Sequence, residues 1–225
     1  MIRTVWQYFC VFPYLLNTTD LFMPRRTKAD AETTRNTLLD AAEDLFLERG
    51  VSKTSLEQIA RHAGMTRGAV YWHFRDKDAL FDAMQARAQL SFEALREELR
   101  AAADGEDPVT CLRRNFKRVF TMMQEPRVKR VHTILLFRNE FYDKASTRDG
   151  NADTVTECTT LITRAIEEAQ KQGHHLYCTP SLLSRCIFSA MSGLIDDWLR
   201  APVAFDLVSE GEAMVDLLLD RLISD

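Results

Sequence analysis

The sequence is sparing with residues that interrupt helices: eight glycines and six prolines in 225 residues. No alternation of apolar and polar residues runs far enough to make a useful strand. A sandwich or barrel of short strands joined by Gly- and Pro-rich turns is thereby excluded. Neither sign of charge dominates, since 29 Lys and Arg against 33 Asp and Glu leave a net −4. That balance does not describe a protein that coats nucleic acid without regard to sequence. Cysteines number five, at Cys10, Cys111, Cys158, Cys178 and Cys186. They lack any C-x-x-C spacing, so no zinc ribbon or dithiol redox pair is written here, and reduced thiols in a cytoplasmic chain are the expectation. No nucleophile–base pair, phosphate loop or cluster of metal ligands emerges, so neither enzyme activity nor a metal or cofactor is expected. His174 and His175 adjoin on a turn with no carboxylate at ligand spacing.

Long apolar runs are missing too. The stretch Val5 to Leu16 behind Arg3 is too short to span a bilayer, is interrupted by Pro13, and is followed by no small-residue cleavage site. It would suit a membrane-attached sensor only as a weak anchor. Met23-Pro-Arg-Arg-Thr-Lys28 reads as a natural protein start, which makes residues 1–22 an extension and a soluble protein without a membrane role the expectation.

What is present is helical periodicity. Apolar residues recur three and four apart along most of the chain, and the turn residues between them divide it into about nine helices. Asp30 to Arg49 carries the stripe Leu38, Leu39, Ala42, Leu45 and Phe46 and stops at Gly50. Thr54-Ser55-Leu56-Glu57 reads as a capping box opening a second helix, which Gly64 ends after barely two turns. Thr66 caps a third, Arg67 to about Phe74. A long helix follows from Asp76 to about Ala103. Further helices fit Pro108–Gln124, Arg127–Lys144, Ala152–Gln172, Pro180–Arg200 and Phe205–Ile223. The fold class is all-α: a small N-terminal three-helix domain at residues 23–76 and a larger helical domain at 77–225. The head is the more basic part, with ten basic and eight acidic residues from Met23 to Lys77 against eighteen and twenty-four from Asp78 onward.

Two short helices separated by a Gly-containing turn are the parts of a helix-turn-helix. Val70 and Phe74, four apart, point toward Leu56, Ile59 and Phe46 as the head's core. That leaves Thr66, Arg67, Tyr71, Trp72 and His73 on the opposite face, a set of phosphate donors and aromatic rings suited to a duplex. Gly68 and Ala69 let the backbone approach it closely. Lys77, at the start of the next helix, is placed to clamp a phosphate.

These residues closely resemble the head of TetR-type repressors: Thr54-Ser-Leu-Glu-Gln-Ile-Ala60, Ala63-Gly64, and Thr66-Arg-Gly-Ala-Val-Tyr-Trp-His-Phe74 with Lys77. The start at Met23 resembles the subgroup typified by AcrR, TtgR and MtrR, which controls multidrug efflux pumps. The resemblance is thinner beyond Leu80, carried by Ile134-Leu135, Glu140-Phe141, Gly193-Leu-Ile195 and Trp198-Leu199. It implies a cytoplasmic repressor that grips double-stranded, pseudo-palindromic operator DNA as a homodimer and releases it when an apolar or drug-like small molecule binds the larger domain. It also implies that Thr54, Ser55, Thr66, Arg67, Gly68, Tyr71, Trp72, His73 and Lys77 meet DNA, with Arg25 and Arg26 as a basic arm. A TetR-type regulator of a metabolic or catabolic operon, or a ligand-dependent activator, would carry the same head.

In the larger domain large apolar residues exceed what one buried stripe requires. Met84, Phe92, Phe116, Phe120, Leu135, Leu136, Cys158, Ile162, Phe188 and Met191 are candidate pocket residues. His132 and Glu140, eight apart on one helix, are its candidate polar groups. The last two helices carry wide apolar faces. Leu183, Ile187, Leu194 and Trp198, with Met214 and Leu218, are expected to pair with their copies in a four-helix dimer seam.

Overall fold

The computed structural model of the chain describes residues 28–101, 106–138 and 145–224. The extension at 1–22, Arg25, Arg26 and Glu140 lie outside the described residues. Helix α1 (Lys28–Arg49) buries Leu38, Leu39, Leu45 and Phe46 on one side. It ends where Gly50 takes φ 88°, a left-handed conformation that disfavours any side chain. α2 (Leu56–His62) and α3 (Arg67–His73) are seven residues each, joined through Gly64 at φ 68°. Helices this short do not stand alone in water. Leu56, Ile59, Val70 and Phe74 hold them against Phe46.

The box at the start of α2 is displaced by one residue from the expected one. Ser55, not Thr54, is the N-cap; its hydroxyl accepts from the Gln58 backbone N–H, and the Gln58 side chain accepts from the Ser55 N–H at 2.7 Å. Thr54 is 2% exposed, and its hydroxyl donates to the Gly50 carbonyl at 2.9 Å. A threonine there closes the turn after α1, whose left-handed glycine would otherwise leave that carbonyl poorly partnered.

The expected long third-to-body helix is two helices. α4 (Lys77–Gln89) and α5 (Glu93–Ala101) are separated by a single 3-10 turn, Leu90–Phe92, a tightening that apolar periodicity does not report. α6 (Pro108–Met123) and α7 (Pro126–Phe137) each start with proline at the first position, where the missing N–H costs nothing. α7 stops at Phe137, shorter than expected, and α8 (Ala145–Lys171) runs straight through Gly150, where a break was expected. One glycine costs a helix only about 1 kcal/mol, which a 27-residue helix packed on its neighbours overrides. α9 (Pro180–Arg200) and α10 (Leu207–Leu222) complete the helices. A two-residue antiparallel ladder pairs β1 (His175–Leu176) with β2 (Ile223–Ser224) and ties the end of the chain to the α8–α9 connection.

Two apolar clusters divide the molecule, and the division does not fall at Lys77. The first joins α1, α2, α3 and α4 with Val131 and Ile134 of α7. The second joins α6, α8, α9 and α10 around Phe116, Phe120, Ile166, Leu183, Ile187 and Trp198. α7 therefore contributes to the core that carries the short helices, although it belongs by sequence to the larger half.

Candidate nucleic-acid interface and ligand region

The outward face of α3 is built as the spacing requires. Thr66 caps the helix, its hydroxyl accepting from the Ala69 N–H at 3.3 Å, while Val70 and Phe74 are buried. Turning those two inward leaves Tyr71 43% and Trp72 71% exposed. Arg67 is exposed beside them, its guanidinium 5.5 Å from the Tyr71 ring centroid. The His73 ring stands edge-on to Trp72 at 4.5 Å. Large aromatic rings left in water next to a cation mark an interaction surface. An open hollow of ≈ 520 Å³ adjoins them, lined by Ser52, Lys53, Thr54, Ser55, Leu56, Gln58, Tyr71, Arg75, Asp76 and Lys77.

Gly68 lies on the same face with helical backbone. A methyl group added there would meet nothing inside the chain nearer than the Thr66 hydroxyl at 4.0 Å. No contact inside the chain requires glycine at this position.

Two residues expected at the interface serve the protein's interior. Thr54 is buried, as described, and cannot present its hydroxyl to a duplex. Lys77 directs its ammonium to the Val51, Ser52 and Thr54 carbonyls at 2.8, 3.4 and 3.1 Å, so it gathers the α1–α2 turn instead of standing clear of it. Lys53, Arg75, Gln58 and Glu57 were not singled out for this surface; the signal available was their nearness in sequence to Ser55 and Tyr71.

In the larger half the expected pocket residues separate into three sets. Met84 is fully buried in the cluster shared with the short helices. Phe116, Phe120 and Ile162 are buried in the second cluster. Phe120 lies flat against α10, where a methyl group on Gly211 would come within 2.6 Å of the ring. These are packing residues. Leu136 is exposed to solvent, because α7 turns it away from both clusters. The third set keeps partial access: Phe92, Leu135, Cys158, Phe188 and Met191.

His132 belongs with this third set. Its ring stands edge-on to Phe92 at 5.9 Å, and Nδ1 donates to the Val128 carbonyl at 2.8 Å, since a carbonyl can only accept. The surrounding protein desolvates the ring and pushes its pKa below the ordinary histidine value. The neutral tautomer so fixed leaves Nε2 as an acceptor. Burial likewise pushes the Cys158 thiol up, keeping it protonated.

Of the residues expected to form the dimer seam, three are buried and three keep partial access. Leu183, Ile187 and Trp198 are buried in the protomer's own core, and Leu194, Met214 and Leu218 pack against it. One side of α9 and α10 meets α6, α7 and α8, while Leu182 and Leu217 on the same two helices stay exposed. The outer side of α8 and α9 is also open. There a groove of ≈ 690 Å³ runs between Val155, Thr159, Thr160, Thr163, Arg164 and Glu167 on one helix and Ser181, Ser184, Arg185, Phe188 and Ser189 on the other.

The joint between the halves is charged. Glu43 on α1 is 1% exposed and pairs with Arg87 of α4. Arg87 also lies 2.8 Å from Asp40. From α7, Arg127 reaches Asp40 at 3.1 Å and Arg130 reaches Asp44 at 2.6 Å. At its other end α7 accepts the Val51 N–H on the Arg138 carbonyl at 3.1 Å.

Among the described residues there is no group of three or more His, Cys, Asp or Glu side chains able to hold a metal, and no helix long and apolar enough to cross a membrane. Cys111, Cys158, Cys178 and Cys186 form no disulfide.

Comparison with known proteins places these features. Residues 38–84 match the description "Bacterial regulatory proteins, tetR family", and residues 107–224 match "MAATS-type transcriptional repressor, C-terminal region". The chain is similar to the HTH-type transcriptional regulator TtgR of Pseudomonas putida, at 35% identity over 89% of this chain and 96% of that protein. It is similar to the crystal structure of NalD, the secondary repressor of the MexAB-OprM multidrug efflux pump in Pseudomonas aeruginosa. There the TM-score is 0.77 and the identity 37%, covering 87% of this chain and 100% of NalD. It is also similar to a complex of SmeT, the repressor of the Stenotrophomonas maltophilia multidrug efflux pump SmeDEF, with triclosan. That match has a TM-score of 0.75 and 29% identity over 86% of this chain and 93% of SmeT. With a tetR-type head on one side and a MAATS-type region over more than half its length on the other, the chain belongs to the TetR family of bacterial transcriptional regulators.

Proposed function

We propose that the protein is a cytoplasmic repressor of a multidrug efflux operon, released from its operator by a largely apolar small molecule. The observation that carries this reading is the outward face of α3, where Tyr71, Trp72 and Arg67 stand exposed next to a glycine that nothing inside the fold requires. Supporting it, NalD and SmeT are named as repressors of such pumps and SmeT is seen with triclosan.

On DNA, Ser55, Thr66, Arg67, Gly68, Tyr71, Trp72 and His73 meet the duplex, and Arg25 and Arg26 extend the contact. Aromatic edges and phosphate donors outnumber groups able to read a base in two places, so shape contributes to operator choice. Two copies of the head on one dimer read the halves of a pseudo-palindrome about one helical turn apart. The partner copy seats against the outer side of α8 and α9. Val155 and Leu182 are exposed there, and Gly193 has no neighbour within 4 Å of an added methyl group, which leaves room for another helix to come close.

The inducer binds between the 3-10 turn after α4 and helices α7, α8 and α9, against Phe92, Cys158 and Met191, and donates a hydrogen bond to His132 Nε2. α7 then carries the signal. One of its sides lines the ligand region, while its ends are tied to α1 by Arg127 and Arg130 and to the α1–α2 turn through the Arg138 carbonyl. A ligand that prefers one seating of α7 changes the separation of the two heads, and the difference in its affinity for the two seatings is the free energy of release.

Footprinting the DNA upstream of the chain's own gene, with and without efflux substrates such as triclosan, tests this. A protected pseudo-palindrome that is lost on adding the compound is expected. A purified chain that ignores duplex DNA at modest salt overturns the reading. Tyr71→Ala is expected to weaken operator binding with the unfolding midpoint unchanged.

A further inference from the structure

Glu57 occupies the second position of α2, where its local sequence gives it only a capping task. That task is already filled by Ser55 and Gln58. Its carboxylate is used across the turn instead. One oxygen accepts the Tyr71 hydroxyl at 2.9 Å and lies 3.2 Å from Nε of Arg67, and the Arg67 guanidinium faces the Tyr71 ring. The three side chains close a triangle on the outward face of α3.

The triangle has a conformational consequence. An exposed arginine and an exposed tyrosine each sample several rotamers in water, and ordering them on contact with a duplex opposes binding. Glu57 orders both beforehand. It holds Tyr71 by its hydroxyl and Arg67 by Nε, so the terminal guanidinium nitrogens are not the ones engaged. Its own backbone N–H first, then the Tyr71 hydroxyl, hold its carboxyl below the usual range, so the acceptor is an anion throughout the physiological range.

The charge acts as well as the geometry. Binding to arbitrary DNA is driven by neutralising phosphates, and a fixed negative charge beside Arg67 opposes it on every sequence alike. Contacts that depend on the placement of Tyr71 and Arg67 are made only where the bases suit them. We propose that Glu57 is a positioning residue for operator discrimination: it presets Tyr71 and Arg67 for the cognate duplex while its charge discourages contact with any other. This rests on the reading of α3 as the DNA-recognition face.

The test uses the full chain, the tightest duplex that the unaltered protein recovers from a randomised library, and a scrambled duplex of equal length and composition. Both affinities are measured by fluorescence anisotropy at one salt concentration for the unaltered chain, Glu57→Gln, Glu57→Ala, Tyr71→Phe and the double variant Glu57→Ala/Tyr71→Phe. Glu57→Ala is expected to lower the ratio of cognate to scrambled affinity by about tenfold, partly by tightening the scrambled complex. Glu57→Gln, which keeps an acceptor for the Tyr71 hydroxyl, retains more of that ratio while tightening the scrambled complex similarly. The double variant loses no more discrimination than Glu57→Ala alone, because the two side chains act as one unit. An unchanged ratio in Glu57→Ala, equal tightening on both duplexes, or fully additive losses in the double variant overturns the proposal. Failure of the unaltered chain to recover any duplex overturns the DNA reading itself, and the proposal with it.

Discussion

The head and the ligand region use their side chains in opposite ways. In α2 and α3 the buried positions are few and the outward ones carry the chemistry, so Tyr71 and Trp72 are informative because they are exposed. In the larger half the residues proposed to meet the inducer face inward, among residues that also hold the helices together. Two phenylalanines there differ in what sits opposite them: Phe120 meets α10, and Phe92 meets His132. An outward surface can thus be changed with little effect on stability, whereas an inward one cannot.

At the joint, head and body share a buried charge. Glu43→Ala leaves the Arg87 guanidinium, 11% exposed, without its nearest carboxylate, and a loss of about 3 kcal/mol in unfolding free energy is expected. Urea unfolding measures it; a loss near zero means the joint contributes no more than a surface ion pair. Within the body, Gly211→Ala pushes a methyl group into the Phe120 ring and is expected to cost about 2 kcal/mol despite the better helix propensity of alanine. Adding Phe120→Leu should recover part of that loss, and no recovery would show that the strain lies elsewhere.

Smaller effects separate the two roles inside the head. Ser55→Ala removes the true cap of α2 and is expected to cost about 1 kcal/mol. Gly68→Ala has the opposite sign, a gain of up to about 1 kcal/mol in stability, together with weaker operator binding in the same anisotropy assay. If Gly68→Ala left binding intact, its face would not lie against DNA. The least effect is a slope. Because burial depresses the His132 pKa, the native chain stays neutral there while the unfolded chain takes up a proton below about 6.5. Stability from this residue is complete above that pH and declines as pH falls toward the depressed native value. His132→Asn is expected to flatten the decline in urea midpoints between about pH 7.5 and about pH 5.5.

The helices of the head, the turn glycines Gly50 and Gly64 and the exposed face of α3 were legible in the residues. Caps and periodicities are local, and Val70 with Phe74 leaves only one way to turn the helix. Thr54 and Lys77 were misplaced because their partners are carbonyls of a turn, which side-chain patterns do not reveal. The 3-10 turn at Leu90–Phe92 and the β1–β2 ladder are too short to leave a period. Leu183, Ile187 and Trp198 lie in the chain's own core, which the sequence does not reveal because an apolar face has the same appearance whether it meets its own chain or another.

That the chain is helical, that two short helices pack around a small core, and that Tyr71, Trp72 and Arg67 are left outside can be read from the residues alone, because these follow from contacts within a few turns of helix. That α7 completes the head's core, that Glu43 lies buried among arginines from two other helices, and that Glu57 holds Tyr71 all emerge with the folded packing. Those pairings join residues distant along the chain or across a turn, and nothing in local periodicity says which polar groups will meet once the apolar faces have closed.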